Sequence, residues 1–254
     1  MLNIEIIPCL NDNYSYLLHE EKENIVAIID PADFGTCEKR IIKKYNKLDY
    51  ILNTHHHLDH VGGNQKLKDR FKSKVLGFEL DKHRIPGIDI ALKEKQNFKI
   101  GSTFFEVIFI PGHTKGHIAL HFKDEKVVFC GDTLFSLGCG KVFEGTHKQM
   151  FNSLNKLKNL PKDTMIYCGH EYTKKNLEFC LKYDPYNEFL KKKSTWIESK
   201  IKSSTPTIPV SIDEEKKTNI FLRCNEPKVK IALELNNASE QEIFSKLRDL
   251  KDSF

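Results

Sequence analysis

The sequence predicts an α+β protein: a β-rich sandwich with helices on its outside, followed by a helical C-terminal domain. Three observations predict it. Short apolar runs bounded by Gly, Pro, Asn and Asp recur from Ile4 to Tyr167. Amphipathic stretches of helical period lie between some of them. Beyond residue 170 the strand-like runs give way to helical periodicity. Two domains are therefore expected, residues 1–170 and residues 171–254.

Ile4–Ile7 alternates as a strand, Asn11-Asp12-Asn13 is a turn signal, and Tyr14–His19 and Ile25–Ile29 are the next strands. Asp30-Pro31 ends the third. Cys37, Ile41, Ile42 and Tyr45 recur at helical spacing and predict a helix over Thr36–Tyr45. Asp49–Asn53 is a short strand, and Val61-Gly62-Gly63 leads into a helix ending near Phe71. Val75–Phe78 is a strand and 81–101 is loop-rich. Thr103–Ile110 is a strong β run stopped by Pro111-Gly112. Ile118–Phe122 and Lys126–Cys130 form a hairpin about Lys123-Asp124-Glu125. Residues 147–158 are helical and Thr164–Tyr167 is a last strand. Helices are then expected over 171–182, 186–202 and within 227–251, with Phe221-Leu222-Arg223 as an extended piece.

Hydrophobic residues make up 39% of the 254 and charged residues 30%, enough for a core and too apolar for a disordered chain. No apolar run reaches the ~20 residues that span a bilayer, so no membrane partner is expected. The N-terminus lacks the basic start and apolar centre of a leader, so a cytoplasmic protein is expected. Seven scattered cysteines with no Cys-x-x-Cys pair fit reduced thiols there. The net charge of +5 suits a small anionic substrate. No basic stripe interleaved with aromatics argues for nucleic acid. Lys191-Lys192-Lys193, the densest basic cluster, reads as a solvated helix face, and a monomer is expected.

Chemistry concentrates in Thr54-His55-His56-His57-Leu58-Asp59-His60, just past the strand Asp49–Asn53. Imidazole nitrogens and a carboxylate in so short a stretch suit zinc, iron or manganese and do not suit calcium. A purification tag would be longer, uniform and terminal. Three later fragments each put a ligand-type residue after a strand: Pro111-Gly112-His113, Cys130-Gly131-Asp132 and Cys168-Gly169-His170. Glycine beside each allows the backbone a close approach. A single His or Asp at one such point is more often structural. Four loops of one kind at strand ends are hard to obtain by accident.

Together these loops resemble the metallo-β-lactamase superfamily. Asn11-Asp12-Asn13-Tyr14-Ser15-Tyr16, Gly131–Thr146, Cys168-Gly169-His170-Glu171-Tyr172-Thr173, Phe221-Leu222-Arg223 and Leu247–Phe254 extend the likeness to hydroxyacylglutathione hydrolases (glyoxalase II) over essentially the whole chain. The resemblance implies a four-layer αββα sandwich with a helical substrate-binding domain. It implies two divalent ions, zinc foremost, with iron and manganese as alternatives. His55, His57 and His113 would hold one ion, Asp59, His60 and His170 the other, and Asp132 would bridge them. Asp59 and Asp132 would thus also serve catalysis, offsetting the charge of the dications. Two ions about 3.5–4 Å apart can lower the pKa of a shared water from ~15.7 towards ~7, yielding a nucleophile for thioester hydrolysis. The implied substrate is S-D-lactoylglutathione and the products are D-lactate and glutathione. A thiolate leaves readily, so no general acid is named.

Substrate binding is expected of Lys141, Phe143 and Tyr172, with Arg223 or Lys228 taking a glutathione carboxylate. Phe143 stands where some members have tyrosine, and Asn225-Glu226-Pro227-Lys228 lacks an arginine that some members carry. His56 is implied to be no ligand, and His117 is read as packing or support. Two readings compete: a single-iron glutathione persulfide dioxygenase, and a nucleic-acid-processing member of the superfamily. The first would need no ligand at Asp59 and no Cys-Gly-His-Glu-Tyr loop with a helical tail.

Overall fold

The structure, a computed structural model, describes residues 1–254. The chain packs as two compact units. The first comprises Met1–Phe109 and Lys115–Gly131, the second Ile110–Thr114 and Asp132–Phe254.

In the first unit, β1 (Leu2–Cys9), β2 (Asn13–Glu20) and β3 (Ile25–Ile29) form an antiparallel meander. Helix α1 (Phe34–Lys44) then returns the chain to β4 (Tyr50–Leu52), which pairs parallel with β3. Asp33 caps α1 by accepting from the Thr36 N–H at 2.8 Å, and Lys43 and Lys44 complement its C-terminal end. The short α2 (Leu58–Val61) and α3 (Asn64–Phe71) lead to β5 (Lys74–Phe78) and β6 (Ile88–Leu92), both parallel to β4. A second sheet is antiparallel: β7 (Asn97–Ile100), β8 (Thr103–Phe109), β9 (Ile118–Phe122) and β10 (Val127–Gly131).

Alternation along the strands places one face of the first sheet against α1 and α3. Ile7, Leu17, Val26, Ile28, Ile51 and Val75 pack there with Cys37, Ile41 and Leu67. The opposite face meets the second sheet through aromatic pairs. Tyr16–Phe129, Tyr50–Phe98 and Phe78–Phe109 have ring centroids 5.1, 5.8 and 4.9 Å apart.

From Asp132 on, the second unit carries the ribbon β11 (Leu134–Phe135) and β12 (Gly138–Cys139), then α4 (His147–Lys158) and β13 (Met165–Cys168). Helices α5 (Thr173–Tyr183) and α6 (Glu188–Lys202) follow. Strand β14 (Val210–Ser211) pairs with β13, and α7 (Ile212–Thr218), α8 (Pro227–Ala232) and α9 (Glu240–Asp252) complete the chain. Capping boxes start α4 at Thr146/Gln149, α7 at Ser211/Glu214 and α9 at Ser239/Glu242. No helix is long and apolar enough to cross a membrane.

The loop-rich stretch 81–101 holds two short strands, β6 and β7. Both are sheet edges with half-exposed faces, so their apolar content is low. Three expectations need correction. Ile220–Leu222 is a 3₁₀ turn where an extended piece was expected, since the Asn219 side chain accepts the Phe221 N–H at 3.0 Å and closes the turn. Helix α7 was not foreseen, although Ser211-Ile212-Asp213-Glu214 carries the capping-box signal. Lys193 does not share a solvated face with Lys191 and Lys192. Its side chain is 5% exposed and its Nζ lies 2.9 Å from Oε1 of the fully buried Glu215. Glu215 Oε2 in turn accepts from the Leu137 N–H at 2.8 Å and from Asn219 at 2.9 Å.

A buried ion pair broken on one side leaves an uncompensated charge. Lys193→Met is expected to cost about 3–5 kcal/mol in urea denaturation, whereas exposed Lys191→Met is expected to stay within about 0.5 kcal/mol.

Glu20, buried at the end of β2, supplies a pH dependence. Burial raises its pKa, but the Glu23 and Lys22 N–H groups and the Ser102 hydroxyl, at 2.9, 2.9 and 2.8 Å, outweigh burial and hold it at about 2. Its folded pKa lies below the unfolded value, so its contribution is complete above about pH 4.5 and is lost as the pH falls towards 2. Glu20→Gln is expected to lower the melting temperature at neutral pH and to flatten its acid dependence over that window.

Candidate metal centre

The ligand-type side chains of the first unit stand where two parallel strands end. Ile29 of β3 lies opposite Leu52 of β4, so Asp30 and Asn53 emerge side by side. Asp30 adopts a left-handed backbone, φ 47°, which Asp tolerates better than most residues. Its N–H donates to Leu52 O at 2.9 Å. Its carboxylate accepts the Thr54 N–H at 2.8 Å, the Thr54 hydroxyl at 2.6 Å and His60 Nδ1–H at 3.0 Å. Thr54 has one hydroxyl proton and gives it to Asp30. The 3.1 Å contact between Thr54 Oγ1 and His55 Nδ1 is therefore donated by the imidazole. Both histidines thus carry the proton on Nδ1 and keep a lone pair on Nε2, the tautomer a metal ligand needs.

His55 and His60 are buried, with ring centroids 4.2 Å apart, and His57 lies 4.7 Å from His55. The donor atoms of Asp30, His55 and His60 all lie within 4.8 Å of one another. Asp59 Oδ2 is 3.7 Å from His60 Nε2, and Asn13 Nδ2 donates to Asp59 Oδ2 at 3.0 Å and to its carbonyl at 3.1 Å. His117, read from sequence as packing or support, stacks on His55 at 4.6 Å and 17°. Gly131 closes this packing at φ 45°. A Cβ there would lie 2.4 Å from Thr54 Oγ1 and 2.8 Å from the His117 ring.

The second unit contributes His113, Asp132 and His170, 4%, 6% and 4% exposed. Asp132 Oδ2 stands 3.4 Å from His113 Nε2 and 3.3 Å from His170 Nε2. His113 Nδ1–H donates to Lys141 O at 2.8 Å, so its Nε2 lone pair faces a carboxylate oxygen. Two electron-rich atoms face each other there, an arrangement a cation between them would stabilise. The donor chemistry of both sets, mixed imidazole and carboxylate, fits a divalent transition metal, and His55, His60 and His113 each carry the proton on Nδ1, away from the Nε2 donor.

The expected substrate residues cluster unevenly. The Phe143 and Glu144 N–H groups both donate to His113 O at 3.3 Å, and the Gly145 N–H donates to Gly112 O at 3.0 Å, so the segment carrying Lys141 is zipped to that ligand. Phe143 is 60% exposed, with its ring 5.2 Å from His113 and the Lys141 ammonium 5.7 Å above it. Tyr172 stacks on His170 at 4.7 Å and 6°. Glu171 accepts the Thr207 hydroxyl at 2.7 Å and anchors that loop. Arg223 is committed to Asp184 at 3.2 Å, and Lys228 is an exposed residue of α8.

Sequence reasoning missed what three residues do. Asp30 showed only as a strand end, and Asn13 only as part of a turn and of the motif Asn11–Tyr16. Arg248 is buried and donates to Cys139 O at 2.8 Å and Gly140 O at 3.4 Å, tying α9 to the segment before Lys141. The available signal for Arg248 was its place in the closing motif Leu247–Phe254.

Asp30→Ala is expected to weaken metal binding by about 10–100-fold, because His55 and His60 both lose their fixed orientation. Metal per chain after dialysis against graded chelator is the measurement, and unchanged retention would contradict the assignment.

Comparison with known proteins extends the geometry. The family model for the metallo-beta-lactamase superfamily matches residues 11–170, and that for the hydroxyacylglutathione hydrolase C-terminus matches 171–254. The hydroxyacylglutathione hydrolase of Pelagibacter ubique is 49% identical over 253 residues, covering 100% of both chains. That of Methylococcus capsulatus is 44% identical, covering 100% of this chain and 99% of its own. Among solved structures, the B3 metallo-beta-lactamase BLEG-1 is similar at a TM-score of 0.66 and 23% identity, over 87% of this chain and 99% of that one. ETHE1 from Myxococcus xanthus is similar at 0.70 and 21%, over 98% and 91%. These two show the fold: two sheets flanked by helices, as the expected αββα class requires. By its full-length identity and its matched regions, the chain belongs to the hydroxyacylglutathione hydrolase family of the metallo-beta-lactamase superfamily.

Proposed function

We propose that the chain hydrolyses S-(2-hydroxyacyl)glutathione thioesters, S-D-lactoylglutathione foremost, to the hydroxy acid and glutathione. One observation carries the reading: a full set of imidazole and carboxylate ligands precedes a region that matches hydroxyacylglutathione hydrolases from residue 171 to 254. In this reading residues 1–170 form the catalytic domain and 171–254 the helical substrate-binding domain.

His55, His57 and His113 would hold one divalent ion, Asp59, His60 and His170 a second, with Asp132 shared. Zinc is the proposed occupant, and the same donors accept iron or manganese. Such ions, when bound, supply Lewis acidity that polarises a carbonyl and brings a water's pKa towards ~7. The side chains around them do the rest. Asp59 and Asp132 offset the added positive charge. Asn13 keeps Asp59 aimed by donating to its Oδ2. The His113–Lys141 bond couples a ligand to the segment that presents a cation to a glutathione carboxylate. Tyr172, braced by Phe135 at 5.1 Å, offers a hydroxyl to the peptide of glutathione. Phe143 offers only a ring, so that contact is apolar. Arg223 and Lys228 remain candidates for the carboxylate, but the bond from Arg223 to Asp184 favours Lys141. A thiolate leaving group needs little acid assistance.

The partner is a small molecule, not nucleic acid or membrane, and the chain acts as a monomer in the cytoplasm. All seven cysteines lie buried as thiols, which suits a reducing compartment. The ligand at Asp59 and the matched C-terminal region speak against the persulfide dioxygenase reading.

Purified protein is expected to turn over S-D-lactoylglutathione, with metal content measured on the same sample. Asp132→Ala is expected to lose most of both metal and activity. Lys141→Ala is expected to raise KM about tenfold with kcat nearly unchanged, the loss of roughly 1.4 kcal/mol of substrate binding. Undiminished turnover after complete metal removal would overturn the proposal.

A further inference from the structure

The proposed ligands leave over one histidine of the His55–His60 run. His56 is tied elsewhere: its Nδ1–H donates to Asp81 Oδ2 at 3.1 Å. Asp81 closes a 3₁₀ turn, Glu79–Asp81, directly after β5, and it is fully buried. Arg84 pairs with its other oxygen through Nη2 at 2.6 Å and Nε at 3.2 Å. The turn is held from behind as well, since the Arg84 and Ile85 N–H groups donate to Asp81 O at 2.8 and 3.0 Å.

The same carboxylate presses on a second segment. A Cβ at Gly116 would lie 2.1 Å from Asp81 Oδ1 and 2.6 Å from Oδ2, so only glycine permits this approach. Gly116 leads into His117, whose ring stacks on His55. The next residue, Ile118, donates its N–H to Thr54 O at 2.9 Å. Asp81 therefore touches both segments that enclose the His55 ring, one through His56 and the other through Gly116.

We infer that Asp81, clamped by Arg84, is a positioning residue for the ion held by His55 and His57, acting through His56 and Gly116. Burying a carboxylate is costly, and an apolar side chain would fill the space more cheaply. A carboxylate adds directional bonds that set the backbone between two ligands. Metal coordination tolerates deviations of only about 0.2 Å, so loosening that backbone reaches the ion directly. The other half of the run has separate supports. Asn13 holds Asp59 and Asp30 holds His60, and neither bond involves Asp81. Asp81 thus acts on one ion and not on the other.

The inference rests on the two-ion reading above, and the test separates the two. Full-length protein is dialysed against graded free Zn²⁺, and zinc per chain is measured together with the melting temperature. Wild type is expected to hold two ions. In Asp81→Ala one ion is expected to leave at about 10–100-fold higher free zinc than in wild type, with the other unchanged. Asp81→Asn keeps an acceptor for His56 and is expected to lose less. His56→Phe leaves the Asp81–Arg84 pair intact and is expected to reproduce the selective loss, and it decides the matter where Asp81→Ala does not fold. Wild-type retention of both ions in His56→Phe, or equal weakening of both, would overturn the inference, since general destabilisation has no reason to single out one ion. Wild type binding fewer than two ions would overturn the two-ion reading instead.

Discussion

The Asp30 carboxylate is the interaction on which the first unit's ligand set depends. One side chain at the end of β3 accepts from the backbone and hydroxyl of Thr54 and from His60. Those bonds exist because β3 and β4 run parallel and in register, so that the two strands release their chains at one edge. Parallel sheets place their sites beyond such edges for this reason. The proton on each outer nitrogen follows from it, and so does the lone pair that faces inward. Remove the register and the histidines remain in sequence but lose their common direction.

The second unit solves the same problem with different parts. His113 leans on a backbone carbonyl, that of Lys141, in place of a carboxylate. That choice ties a ligand to the segment proposed to meet substrate. Arg248 then fastens α9 to Cys139 and Gly140, just ahead of Lys141. Helix α9 thereby braces the segment that carries Lys141. Elsewhere in this unit the buried Lys193–Glu215 pair joins α6 to α7, and Glu215 also holds Leu137 and Asn219. Replacing such a pair by well-packed apolar residues is often neutral, whereas removing one partner leaves a buried charge uncompensated.

Much of this was legible in the sequence. The helix over 147–158, the hairpin about Lys123-Asp124-Glu125 and the strands ahead of His55, His113 and Asp132 all follow from local pattern, period two or period 3.6 with turn residues between. The family followed from motifs that span the chain. What stayed illegible was partnership across distance. Periodicity places Lys193 on a helix face but says nothing of Glu215, which arrives from another helix. Arg223 looked available for a carboxylate until Asp184, 39 residues earlier in the chain, claimed it.

The sequence by itself thus determined the ligand types, their order and their place just after strands, because these depend on neighbours along the chain. Only the tertiary structure decided which nitrogen of His55, His60 and His113 carries its proton, what holds Asp59 in place, and what His56 is bonded to. Those answers depend on groups far apart in sequence, Asp30 with His60, Asp81 with His56 and His113 with Lys141. Sheet register and packing bring such groups together, and no local pattern encodes them.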